Sequence, residues 1–179
     1  MGRPIFIDVK TLELREIRFD EVFPPGLLSF PDDWRQRGDL RAEGVTELMD
    51  RHGSRTIRVL GRIRAEFENE CAIGLEPIRR VYDENFELFY YPMSLIAREE
   101  HVGLSRDDAD VGFYEGDGLP LADVVREQVL LWLPMRPECE YAEQGDCPYC
   151  KRNLDRSRES IAAEHRDSRW AALEKWKQN

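Results

Sequence analysis

Apolar and polar residues alternate most clearly between Thr56 and Phe67. Ile57, Val59, Ile63, Ala65 and Phe67 fall on one face, and Arg58, Arg62, Arg64 and Glu66 on the other. A period of two is that of a half-buried β-strand. The segment Asp50-Arg51-His52-Gly53 before it is turn-like, so this strand is expected to pair as a hairpin with residues 40–49, part of a second strand-like run over 38–49. Shorter strand character is present at 4–9, Pro-Ile-Phe-Ile-Asp-Val, and a fourth run, Arg79 to Tyr91, carries Val81, Phe86, Leu88, Phe89, Tyr90 and Tyr91 before Pro92 stops it. Pro24-Pro25-Gly26 and Pro31-Asp32-Asp33 punctuate an irregular connection between the first two runs. The pattern predicts an antiparallel sheet of four or five strands.

From Leu121 to Trp132 the period changes. Leu121, Val124, Val125, Val129 and Trp132 recur at helical spacing, with Pro120 at a plausible first helical position and Asp117 or Gly118 near the cap. Pro134 and Pro137 end this helix. Trp170, Ala171, Leu173 and Trp176 predict a short terminal helix with Ser168 as its N-cap. Between the sheet and the first helix, Arg98 to Asp117 holds seven acids against two arginines with scattered glycines, and reads as a loop. The expectation is one α+β domain over 1–179: 1–93 mainly β, 94–119 an acidic loop, and 120–179 the helix, a cysteine loop and the terminal helix. The sheet is antiparallel, with a barrel-like closure open to it.

Charge narrows the function. The 179 residues carry 26 Lys and Arg against 36 Asp and Glu, a formal net charge of −10. Such a surface repels nucleic acid on average and steers basic proteins toward it. The longest apolar run, Val129 to Met135, is far short of the roughly 20 residues that span a bilayer. The first residues show no secretion signal, and Phe6 does not fit a myristoylation pattern, so the sequence reads as cytoplasmic and without a membrane partner. No phosphate-binding loop, dinucleotide fingerprint, nucleophile elbow or HExxH occurs. His52, His101 and His165 sit in no general-base setting, so neither an enzyme nor a small-molecule substrate is expected.

Three features remain. Cys139, Cys147 and Cys150 place three soft ligands in twelve residues, including the CxxC Cys147-Pro-Tyr-Cys150, and suggest zinc, with Glu143, His165 or the distant Cys71 to complete four ligands. Metal-free cysteines on a loop are the plain alternative, and a redox pair is a third, although the CxxC lacks the βαβ setting such a pair uses. Second, Arg58, Arg62 and Arg64 share a strand face in a stretch, 51–80, that holds seven arginines against four glutamates. That stripe suits phosphate oxygens of RNA, or else pairs across strands with Glu66, Glu68 or Glu87. Third, the acids Glu99, Glu100, Asp107, Asp108 and Asp110 suit a basic partner. Asp107, Asp108 and Asp110 would also serve a magnesium- or manganese-dependent nuclease, the alternative from another class.

The run Leu121-Ala-Asp-Val-Val-Arg-Glu-Gln-Val-Leu-Leu-Trp-Leu-Pro-Met-Arg-Pro137, then Glu138-Cys139, Gly145-Asp-Cys147-Pro-Tyr-Cys150 and Asn153-Leu154, resembles the large ribosomal RNA subunit accumulation proteins, the YceD family. Val59-Leu-Gly-Arg-Ile-Arg64, Cys71-Ala-Ile-Gly-Leu-Glu-Pro77 and Asp167-Ser-Arg-Trp170 resemble that family's motifs in the same order. The resemblance implies a non-catalytic factor in ribosome biogenesis. Its partner would be large-subunit ribosomal RNA or a small basic protein of the large subunit, and metal binding is implied. The family's first motif often carries a second cysteine where this chain has Gly74, and its second motif carries one where this chain has Glu143. The implied zinc site is therefore Cys71, Cys139, Cys147 and Cys150, or one in which Glu143 serves, or packing without metal.

Overall fold

The computed structural model describes residues 5–51, 53–95, 111–139, 147 and 149–151. The chain divides into two compact units, Met1–Asn69 with Arg79–Met135, and Glu70–Ile78 with Arg136–Asn179.

The first unit opens with β1 (Phe6–Asp8), shorter than the 4–9 run. Asp8 stops it by capping the single turn α1 (Val9–Leu12). Its carboxylate accepts from the Thr11 amide at 2.8 Å and from Thr11 Oγ1 at 2.7 Å. Next comes β2 (Ile17–Phe23), a strand absent from the sequence expectation. Phe19 and Phe23 are buried, but Glu21 stands on the same side of the alternation and masks it. Then β3 (Arg35–Arg51), β4 (Ser54–Glu70) and β5 (Pro77–Pro92) run longer than their apolar cores indicate. Their ends carry charges that the two-residue pattern does not register. β3 and β4 form the expected hairpin, in register from Arg41↔Arg64 to Arg51↔Ser54, with Gly53 at φ +70° in the turn.

The sheet order is β2-β3-β4-β5-β6, where β6 (Val111–Tyr114) lies inside the segment expected to be an acidic loop. β6 pairs with β5 in parallel, Phe89↔Val111 to Pro92↔Tyr114, so the sheet is mixed rather than wholly antiparallel. Among the described residues it is also not a closed barrel, because β2 and β6 end the strand order without pairing with each other. A separate two-stranded sheet joins β1 to β7 (Gly118–Pro120).

α2 (Leu121–Trp132) has the expected bounds, but its N-cap is the extended Pro120, expected as the first helical residue, rather than Asp117 or Gly118. Leu121, Val124, Val125, Gln128 and Val129 are its buried side. Leu121, Val124, Val125 and Val129 join Leu40, Ala42, Ile57, Val59, Ile63 and Phe67 of the sheet in one core. Ile57, Val59, Ile63, Ala65 and Phe67 are all buried, as their alternation requires. The gap in that alternation at Gly61 is filled from elsewhere. Gly61 faces Gly44 across the hairpin, and a Cβ at Gly61 would lie 2.7 Å from the Glu43 carbonyl oxygen and 2.9 Å from the Phe86 ring. The missing side chain makes room for an aromatic ring on the core face. The terminal helix expected at 168–176 lies outside the described residues.

Candidate metal centre and charged surfaces

The second unit contains the cysteines. Residues 71–76 connect β4 to β5 through a tight turn in which the Cys71 amide donates to the Glu76 carbonyl at 2.9 Å and the Leu75 amide to the Cys71 carbonyl at 2.8 Å. Leu75 takes a left-handed φ of 60° to close it. Ala72 donates to the Pro137 carbonyl at 2.8 Å, which brings the segment leading into Cys139 alongside. The CxxC forms a similar turn, with the Lys151 amide donating to the Cys147 carbonyl at 3.0 Å.

All four cysteines are free thiols. The Cys71, Cys139 and Cys150 sulfurs lie within 4.8 Å of one another, with Cys71–Cys150 at 3.7 Å and Cys139–Cys150 at 3.5 Å. A tetrahedral ion with Zn–S bonds near 2.3 Å sets its sulfurs about 3.8 Å apart, so the observed edges fit such a polyhedron and are far longer than a disulfide bond. Cys147 is not one of these three clustered sulfurs, although its titration responds to Cys150 and Cys139.

Both turns point amides at sulfur. Gly74 donates to Cys71 Sγ at 3.4 Å. Burial works to raise the Cys71 thiol, but the amides of Gly74, Ile73 and Cys139, with the Cys150 thiol, overcome it and bring it down to about 7. The amide of Cys150, aided by its thiol, the Tyr149 amide and Cys139, lowers Cys147 against the cost of burial. Cys150 is pushed up by burial and by the three thiols around it. Thiols that shed protons easily beside one that does not form a set whose charge a divalent cation would balance.

Gly74 stands at the place in the first turn where Cys150 stands in the second. A Cβ there would lie 3.2 Å from Cys150 Sγ and 3.2 Å from Tyr149 Cβ. The sequence flags Gly74 only as a departure from the family motif, whereas its amide serves Cys71 and its bare Cα lets the second turn approach. The signal available was the shared x-x spacing of Cys71-Ala-Ile-Gly74 and Cys147-Pro-Tyr-Cys150. Glu143 and His165 lie outside the described residues.

The arginine stripe is present on one face of β4, and each member meets a carboxylate. Arg58 bonds Glu47 at 2.8 Å and Glu87 at 2.7 Å, Arg62 bonds Asp83 at 2.5 Å, and Arg64 bonds the same Asp83 at 3.0 Å. Glu47, then Glu87, holds the Arg58 guanidinium more firmly protonated, and Arg62, then Arg64, holds Asp83 below the usual carboxylate range. The lattice extends outward through Arg41 with Asp20 at 2.7 Å, and through Arg79 and Arg37, which share Glu68. Of the partners expected from sequence, Glu87 serves Arg58, while Glu66 and Glu68 serve Arg79 and Arg37. Glu99, Glu100, Asp107, Asp108 and Asp110 lie outside the described residues.

Two members of the Arg126-Glu127-Gln128 triplet of α2 reach different neighbours and the third is buried. Arg126 Nε donates to the Ser29 carbonyl at 2.6 Å, Tyr90 Oη donates to Glu127 Oε2 at 3.1 Å, and Gln128 is buried. Arg126 and Glu127 fix α2 to different parts of the unit, so the triplet has packing work to do.

No helix among the described residues is long and apolar enough to cross a membrane. The sequence model of one family, described as large ribosomal RNA subunit accumulation protein YceD, matches residues 59–177. Neither the curated proteins nor the solved structures give a match.

Proposed function

The chain belongs to the large ribosomal RNA subunit accumulation protein family, YceD, and from that premise we propose that it supports accumulation of this RNA without catalysis, by holding a small basic protein of the large subunit. The family's description ties it to the large ribosomal subunit and names no reaction. One observation favours a protein over bare RNA: the arginines best placed to grip phosphate, Arg58, Arg62 and Arg64, are each engaged by Glu47, Glu87 or Asp83. RNA would have to displace those carboxylates one by one. The net charge of −10 attracts a basic protein without that penalty.

Within this reading, Cys71, Cys139, Cys147 and Cys150 hold a structural zinc ion that fastens the turn after β4 to Cys139 and the CxxC. A closed thiolate site of this kind contributes folding energy and performs no chemistry. The acids Glu99, Glu100, Asp107, Asp108 and Asp110 would add to the attraction for the partner.

Two measurements test the proposal. Tagged protein recovered from its native cells should retain one basic large-subunit protein after nuclease treatment. Loss of every ribosomal component with the RNA would overturn the protein reading in favour of the Arg58, Arg62 and Arg64 face. Protein purified without chelator should carry about one zinc per chain; a stoichiometry near zero removes the metal.

A further inference from the structure

Beside the core of the first unit runs a cleft of about 510 Å³ lined by Asn85, Phe86, Glu87, Phe89, Gln128, Leu131 and Trp132. Its place follows from the sheet. β6 accompanies β5 only from Phe89 to Pro92. Among the described residues, the edge of β5 at 85–88 therefore has no strand beside it, and the last turns of α2 form the other wall.

The lining is uneven in charge. Asn85 and Gln128 bring side-chain amides, and Glu87 brings a carboxylate whose Oε1 Arg58 meets at 2.7 Å. Among the described residues, no cationic residue lines the cleft. Phe86, Phe89 and Trp132 supply aromatic surface, and Phe89 already carries a guanidinium, with Arg51 Cζ 4.3 Å from its ring centroid. At the mouth, Leu131 is 66% exposed, while Gln128, at 7%, lies deep.

We infer that this cleft receives an arginine or lysine side chain of an extended basic protein segment lying along the open edge of β5. The aliphatic stem packs on Leu131 and the Trp132 ring, the cationic head reaches Glu87 and the amide oxygens, and the segment's backbone uses the β5 edge. Charge complementarity selects this occupant. Among the described lining residues a negatively charged ligand would meet Glu87 and no cation, and a net charge of −10 repels it before contact. The inference rests on the proposed function for its partner class and adds the site.

The test uses the full chain and a nona-arginine peptide, with nona-glutamate as control. In ¹H–¹⁵N spectra, the Trp132 indole and the Asn85 and Gln128 side-chain amides should shift at the lowest peptide concentrations, and nona-glutamate should shift none of them. The double variant Asn85→Lys/Leu131→Lys should weaken nona-arginine binding by about tenfold or more. Asp39→Asn/Glu115→Gln makes the same change in net charge with exposed residues elsewhere, and should change the affinity less than about threefold. Shifts spread over the surface without those three signals, or equal losses in the two double variants, would overturn the cleft as the site. The cell-derived complex separates the two claims. If the Asn85→Lys/Leu131→Lys chain still retains a basic large-subunit protein after nuclease, the cleft is wrong and the partner reading stands. If the wild-type chain retains none while the peptide binds as described, the partner reading fails alone.

Discussion

Gly61 illustrates how a residue is specified by what it lacks. It occupies a core-facing position of β4 opposite Gly44, beneath the Phe86 ring, and a methyl group there has nowhere to go. Gly61→Ala should cost about 2 kcal/mol or more, since overpacking a filled core forces rings and backbone apart. Urea unfolding measures it, and an unchanged midpoint would mean the hairpin yields freely. Cys150 is the corresponding residue of the second unit, because its sulfur neighbours both Cys71 and Cys139. Cys150→Ser should abolish zinc retention on gel filtration, measured by elemental analysis of the protein peak. A variant that keeps one equivalent would show that Cys150 is no ligand. The four cysteines were legible in the sequence as candidate ligands. That Cys71 joins Cys139 and Cys150 was legible only as an option, because 67 residues lie between Cys71 and Cys139 and no local period reports on such a distance. Gly74 was hidden for a different reason: its contribution is an amide and an absence, and a sequence displays neither.

At the scale of elements, strong periodicity and structure agree, and weak periodicity fails in particular ways. α2 has its expected bounds because five apolar positions and flanking prolines leave little choice. β2 escaped because Glu21 interrupts its inward row, and β6 because four residues in an acid-rich stretch are too few to establish a period. Parallel pairing of β6 with β5 is set by where the chain returns, which alternation does not encode. The inward side of α2 carries most of what this element contributes to stability. Val125 and Val129 are essentially fully buried, so Val125→Ala should cost about 2 kcal/mol through two lost methyl groups and the space left behind. Arg126→Ala removes a hydrogen bond to the Ser29 carbonyl at the exposed edge. It should lower stability by less than about 1 kcal/mol while speeding amide exchange in Leu27–Phe30. A uniform rise in exchange across the unit would show instead that Arg126 supports the whole fold.

For the whole molecule, the balance between paired and unpaired charge joins stability to function. The outer side of the sheet spends its arginines on its own carboxylates, so the excess of acid remains available for partners while the stripe itself is nearly neutral. This lattice has a pH signature. Asp20 is held below its ordinary value of 3.8 by Arg41, Asp83 by Arg62 and then Arg64, and Glu68 below 4.5 by Arg37. A carboxylate whose pKa is depressed in the folded state adds stability above its unfolded value and loses it as the pH falls through the folded one. The lattice therefore contributes fully at neutral pH and fails only below about pH 4.5. The urea midpoint should fall steeply there, and Asp83→Asn should flatten that fall because it deletes the carboxylate that Arg62 and Arg64 share. An identical acid slope in wild type and Asp83→Asn would show that the lattice is ornamental. It would also weaken the argument against RNA, since arginines whose pairing contributes nothing are arginines that phosphate can claim.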